Sequence, residues 1–335
     1  MLLQPPVLAL LFASTLQALA VLAAVPFSQS IARRWDLRVA GERQLELERR
    51  THLVSTLIAL VMGLQLFTLP VFVFTADRLA VQLSGAMCAV GTLNADPHGF
   101  PALALRIASF FAAVGWLALD DLDGRAPSYP LARLKYALVL GLAPLFLAAA
   151  VLDWQYFAGL VPDELTSCCA RVFAPAERSL SGDLAALAPR PAAALFFGAL
   201  GLAAGASAFA AARPRSARVS AVAGLAGVGA FPAVVAGVVS FVAPAAYDEA
   251  LHHCPFCILK SEYGHLGYAL YGPLFVAASA SVWLLGAALA SRVESLRPLL
   301  PPPRRRRAAL AAAGYAVIAV VAGLTLARSH LALFP

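Results

Sequence analysis

The chain has 335 residues, 61% of them hydrophobic and 13% charged, with a mean hydropathy of +0.79. That balance lies far from an average soluble domain and excludes water as the main solvent of the folded chain. The formal charge of +7 would suit nucleic acid only if the basic residues shared one solvated face; they are dealt out between apolar runs instead, so no nucleic-acid partner is expected.

The apolar runs are continuous and rich in Ala and Leu, without the two-residue alternation of a barrel strand, which predicts helices. In chain order they fall at Pro6–Phe27, His52–Thr75, Ala102–Leu119, Tyr136–Phe157, Pro191–Ala212, Val219–Val242, Gly267–Ala290 and Ala308–Ala327. The fold class is therefore all-α, a polytopic membrane helix bundle of eight spans. The first run has no Lys or Arg ahead of it, which reads as a membrane helix and not as a secretory signal. Eighteen of the 25 Lys and Arg residues fall in alternate connections, those after spans one, three, five and seven. Positive charge accumulates on the cytoplasmic side, so both termini are expected to be non-cytoplasmic, in a bacterial inner membrane.

Three regions follow. Residues 1–135 form an N-terminal three-helix membrane region whose basic segment 28–50 reads as a short helix on the cytoplasmic surface. Residues 136–290 form a four-helix region carrying Cys168, Cys169, Cys254 and Cys257. Residues 291–335 hold a basic, proline-rich cytoplasmic linker and the last span, with Pro298–Arg307 read as an extended stretch. Between spans three and four, Asp120-Asp121-Leu122-Asp123-Gly124-Arg125 reads as a hairpin with helix-end capping.

With this topology all five cysteines lie on the non-cytoplasmic side: Cys88 after span two, Cys168 and Cys169 after span four, Cys254 and Cys257 at the start of span seven. That compartment permits disulfides, so thiols there are paired, metal-bound or cycling. The strongest motif is His252-His253-Cys254-Pro255-Phe256-Cys257-Ile258-Leu259-Lys260. A C-x-x-C pair can close a redox-active disulfide, and a helix N-terminus with Lys260 nearby would stabilise a thiolate. Two alternatives stay open. One is a static disulfide stapling the loop. The other is a site for Cu, Zn or Hg, or for haem, on Cys254, Cys257, His252, His253 and His265. The adjacent Cys168-Cys169 suits an easily exchanged disulfide, a soft metal, or pairing with other cysteines such as Cys88. Asp96, Asp153, Asp163, Glu164, Asp248, Glu249, Glu262, His98 and His330 read as solvated outer-face residues. Tyr263, Tyr268, Tyr271, Trp154 and Tyr156 read as an interfacial aromatic belt. Few ionisable groups are expected deep in the spans, Gln65 being the main polar exception, which argues against a proton relay across the bilayer.

Cys254-Pro255-Phe256-Cys257-Ile258-Leu259 resembles the membrane disulfide oxidoreductases of the DsbB and vitamin K epoxide reductase families. The helix order from roughly Tyr136 to Ala290 is similar: a rising helix, an outer loop with cysteines, a helix pair, then the C-x-x-C. The adjacency of Cys168 and Cys169 departs from those families, whose shuttle cysteines are separated, and the first three spans with Cys88 have no counterpart. The resemblance implies a thiol–disulfide oxidoreductase with Cys254 and Cys257 as the primary pair and Cys168, Cys169 and Cys88 as relay. It also implies a quinone as electron carrier and a periplasmic thiol protein as partner. The segments Met87-Cys88-Ala89-Val90-Gly91, Ser167-Cys168-Cys169 and His252 to Cys257 also resemble uncharacterised bacterial multi-pass membrane proteins.

Overall fold

The computed structural model describes residues 1–35, 42–162 and 187–331, and of residues 42–50 the helical backbone alone. Among the described residues every regular element is helical, and eight helices are long and apolar enough to cross a membrane. In chain order the helices are α1 (Pro5–Arg34), α2 (Glu42–Leu79), a short α3 (Ala89–Asn94) that is not one of the eight, α4 (Gly99–Asp123) and α5 (Ala132–Gly159), then α6 (Pro189–Ala212) and α7 (Ala217–Gly237). A π-helical turn (Val238–Val242) prolongs α7 into a short α8 (Ala243–Tyr247), and α9 (Leu266–Ala290) and α10 (Pro301–Arg328) follow. Outward faces carry large exposed apolar side chains such as Phe12, Leu60, Phe67, Leu202 and Leu225. In water such surfaces would aggregate; in hydrocarbon they are matched to their solvent, and each helix satisfies its own backbone. This is the construction of a multi-pass membrane bundle.

Two expectations about connecting segments change. Ser28–Arg34 continues α1, and Glu42 already belongs to α2, so no separate surface helix lies in the described part of segment 28–50. Pro301 opens α10, so Pro302, Pro303 and the four arginines Arg304 to Arg307 are helical and not an extended linker. Proline is tolerated in a first helical turn, where its missing N–H would have had no partner.

The chain divides into two units, Met1–Thr166 with Ala290–Leu299, and Ser167–Leu289 with Leu300–Pro335. These cut across the three regions read from the sequence. In the first unit α5 packs on α1 and α4, and α2 on α4 and α1, around Met62, Trp116, Tyr136, Val139 and Phe146. In the second, α6 packs on α7 and α10 around Phe196, Val234, Phe241, Leu274 and Ile318. There the contact between α7 and α9 is close. A Cβ on Gly224 would meet Leu285 Cγ at 2.6 Å and the Ser281 carbonyl oxygen at 2.8 Å, and one on Gly227 would strike the Ser281 side chain. Without a water-driven force between helices in lipid, small residues of this kind let backbones approach for dispersion and polar contacts.

Charged side chains also enter the helices of the first unit, contrary to the sequence expectation. Asp153, read as a solvated loop residue, lies inside α5 with no exposed surface; it accepts from Ser14 Oγ of α1 at 2.8 Å and pairs with Arg106 of α4, itself 1% exposed. At the opposite ends of α4 and α5, Lys135 Nζ is held by Asp120 Oδ1 at 2.9 Å and Asp123 Oδ2 at 3.2 Å. Asp123 Oδ1 also accepts from the Leu131 N–H at 2.7 Å, just ahead of α5, which is the capping expected of this hairpin.

Candidate functional site

The Cys254–Cys257 segment lies in the second unit, between α8 and α9. Cys254 and Cys257 are 3% and 7% exposed, and their sulfurs lie within 4.8 Å of each other. The expectation that the pair opens the seventh membrane helix is corrected. Cys257–Leu259 and Ser261–Tyr263 are separate 3₁₀ turns, and α9 begins only at Leu266. Lys260 is extended (ψ 159°), and Gly264 (φ +61°) and His265 (φ +55°) take left-handed conformations that stop the chain from running helically into α9. The dipole of a long helix is therefore not aimed at Cys257 from its own N-terminus.

What holds the motif is a set of hydrogen bonds to its backbone. Tyr247 Oη donates to the Cys254 carbonyl at 2.6 Å, and Tyr271 Oη of α9 donates to the Pro255 carbonyl at 2.8 Å. The Lys260 N–H donates to the Cys257 carbonyl at 3.0 Å. A Cβ on Gly267 would come within 2.6 Å of Leu259 Cδ2, so the first turn of α9 packs directly on the turn carrying Cys257. Tyr271, expected in an aromatic belt, thus has a fixed polar partner beside the cysteines, while Tyr268 is 63% exposed as a belt residue would be. Tyr156, also expected in the belt, is fully buried in the first unit against Phe72 and Phe157.

His253 has a specific reason to be where it is. In the π turn the Ala243 N–H reaches back to the Val238 carbonyl, so the Val239 carbonyl would be served by residue 244. That residue is Pro244, which has no N–H. His253 Nδ1–H donates to the Val239 carbonyl at 2.9 Å and fills the gap. A buried carbonyl in a membrane helix needs such a partner. The ring therefore carries its proton on Nδ1. His265 likewise donates from Nδ1 to the Leu259 carbonyl at 2.8 Å, and His252 stacks on Tyr247 with ring centroids 4.1 Å apart, its Nδ1 3.8 Å from Glu249. The Nε2 atoms of His253 and His265 are what these two rings leave for a ligand. Burial, with Cys257 close by, raises the Tyr263 phenol above its ordinary value, so it stays a neutral hydroxyl beside the pair.

The other sequence candidates divide. Cys88, in the first unit, is buried immediately before α3, and its carbonyl accepts from the Thr92 N–H at 3.3 Å. Cys168 and Cys169, with Asp163 and Glu164, lie outside the described residues. Sequence reasoning missed Tyr247, the π turn and the Arg106–Asp153 pair. The available signals were Pro244 ending an apolar run, and one Arg and one Asp, each interrupting a different run. Comparison with protein families, curated proteins and solved structures finds no match.

Proposed function

We propose that the protein is a thiol–disulfide oxidoreductase of a bacterial inner membrane, acting at the non-cytoplasmic face, with Cys254 and Cys257 as its redox pair. The observation that carries this reading is two buried cysteine sulfurs within 4.8 Å of each other on a backbone fixed by Tyr247 and Tyr271. In the oxidised state the pair is a disulfide. A thiolate of the substrate attacks one sulfur and forms a mixed disulfide, releasing the other cysteine as thiolate. The second substrate thiol then resolves it, leaving substrate disulfide and two reduced cysteines. Two electrons and two protons have moved inward. Cys168, Cys169 and Cys88 are the relay candidates, and a periplasmic thiol protein is the partner.

A quinone bound near the pair would accept the two electrons and two protons as quinol. The aromatic surface of Tyr247, Tyr263 and His252 fits a flat ring in kind; the Tyr247 and Tyr271 hydroxyls are committed to backbone carbonyls and would not be its hydrogen-bond donors. Lys260, one turn from Cys257, favours the thiolate form electrostatically.

Thiol trapping with an alkylating reagent in intact cells tests the proposal. Cys254 and Cys257 are expected to be oxidised during respiration and to accumulate as thiols when it is blocked. A pair that never changes state sinks the reading. The metal reading keeps one observation in its favour, the two buried sulfurs within 4.8 Å of each other, a spacing that thiolates sharing one soft ion can also take. Purified protein carrying stoichiometric Cu, Zn or Hg that is lost in Cys254→Ser would replace the redox proposal with it.

A further inference from the structure

The first unit contains a cavity of about 270 Å³ where the C-terminal end of α1, α2 and the α4–α5 turn meet. Its walls include Trp35, His52, Ser55, Asp120, Tyr129 and Lys135. The charges in it are unequal. Lys135 Nζ donates to Asp120 Oδ1 at 2.9 Å and Ser55 Oγ at 3.0 Å and lies 3.2 Å from Asp123 Oδ2 as an ion pair, and Ser55 Oγ in turn donates to Asp120 Oδ1 at 2.7 Å. Two carboxylates thus face one ammonium. The Lys135 side chain is 3% exposed and that of Asp120 29%, so the carboxylate, not the cation, is what the opening presents. Asp120 Oδ2 takes no hydrogen bond from a described residue. Trp35 is 3% exposed, and its buried indole N–H has no hydrogen-bond partner among the described residues, which is costly in a packed interior.

We propose that this cavity binds a small primary ammonium carrying a neighbouring oxygen acceptor, the chemistry of an amino alcohol or of its phosphoester as a lipid headgroup. The ammonium donates to Asp120 Oδ2 and is attracted to the aromatic surface of Trp35 and Tyr129; the ligand oxygen accepts the Trp35 N–H. An anion is disfavoured because the carboxylates of Asp120 and Asp123 outnumber the one ammonium, whose side chain is 3% exposed. A quaternary ammonium is disfavoured because it has no N–H for Asp120. The site is independent of the cysteine pair, so neither proposal's failure touches the other.

The test uses the full-length protein in nanodiscs of phosphatidylcholine and phosphatidylglycerol, with thermal unfolding followed during titration with ethanolamine and, separately, with choline at matched ionic strength. Ethanolamine is expected to raise Tm saturably and choline to do so at concentrations at least about tenfold higher. Asp120→Asn should lose the ethanolamine response. Because that change strips Lys135 of a partner and can unfold the unit, Ala59→Leu, which fills the cavity wall without touching the ion network, is the second variant and should lose the response too. Nanodiscs containing phosphatidylethanolamine separate the sources. A raised basal Tm with no further ethanolamine response assigns the headgroup, and an unchanged response assigns the free amine. Equal responses to ethanolamine and choline, or an Ala59→Leu protein that responds like the parent, overturn the proposal.

Discussion

Arg106 lies seven residues into α4 and Asp153 six residues before the end of α5, so each is set back about 10 Å from its helix end at 1.5 Å per residue. Neither has water for a partner: they are 1% and 0% exposed. Each is tolerable because the other is there, with Ser14 satisfying a further carboxylate lone pair. Asp153→Asn should therefore destabilise the protein by roughly 3–5 kcal/mol, since it leaves a buried guanidinium without its countercharge. The double change Arg106→Met with Asp153→Leu should restore most of that loss. Thermal unfolding in detergent measures both, and a double variant no better than the single one contradicts the account. His253 makes a parallel case with a neutral group. His253→Ala strands the Val239 carbonyl and should cost about 1–3 kcal/mol, with His253→Asn, which keeps a side-chain N–H donor, losing less. If the two variants unfold at the same temperature, the hydrogen bond is not what the histidine contributes.

The same carbonyl explains the irregular end of the sixth span. Pro244 cannot continue the i to i−4 ladder and crowds the preceding turn, and the chain widens into a π turn that passes the open carbonyl to the loop carrying the cysteines. The helix period was legible in the sequence because apolar composition alone specifies a span. The π turn was not, because it depends on which loop residue arrives to satisfy it. The start of the seventh span was misread for a similar reason. Cys254 to Lys260 is apolar enough to pass for helix, while the left-handed Gly264 and His265 carry little signal in composition. Between α7 and α9, Gly227→Leu should destabilise by roughly 1–3 kcal/mol or more, because the new side chain meets Ser281 and the Tyr315 hydroxyl, which now lie 3.1 Å apart in a hydrogen bond. The same substitution at Gly229, where a Cβ meets nothing within 4 Å, should be nearly neutral in the same unfolding assay. At the end of α10, Asp248 Oδ1 accepts from Ser329 Oγ and the His330 N–H, both at 2.8 Å. The Ser329 hydroxyl first, and then the His330 amide, hold this carboxyl below its ordinary value near 3.8. The tie is therefore fully present above that value and is lost as pH falls through the lower folded one. The protection of the His330 amide, its exchange rate taken relative to the intrinsic rate at each pH, should fall in that acidic window, and Asp248→Asn should remove that fall. Protection flat across that window would contradict the tie.

Across the whole molecule, eight spans were legible because a bilayer imposes a length and a polarity that every crossing helix must meet. The candidate site was legible only as a motif: Cys254 and Cys257 announce themselves, whereas Tyr247 and Tyr271 are recognised by what they touch. The buried charges were hidden because a single Arg or Asp hardly lowers the hydropathy of a long run, and pairing between helices is not written in either run alone. The oxidoreductase proposal takes its orientation from a property of the entire chain, the accumulation of basic residues in alternate connections. On that proposed orientation Gly124 and Arg215 would be cytoplasmic and Asp96 and Glu262 would face the other side, four exposed or loop positions that a labelling experiment can reach. In a background with the native cysteines replaced by serine, single cysteines at 96 and 262 should react with a membrane-impermeant maleimide added to spheroplasts. Those at 124 and 215 should react only after the membrane is opened. The reverse pattern would place Cys254 and Cys257 on the reducing side, where thioredoxin and glutathione keep thiols reduced, and the oxidoreductase proposal would lose its compartment. A mixed pattern within either pair would instead mean that one of the eight helices does not cross.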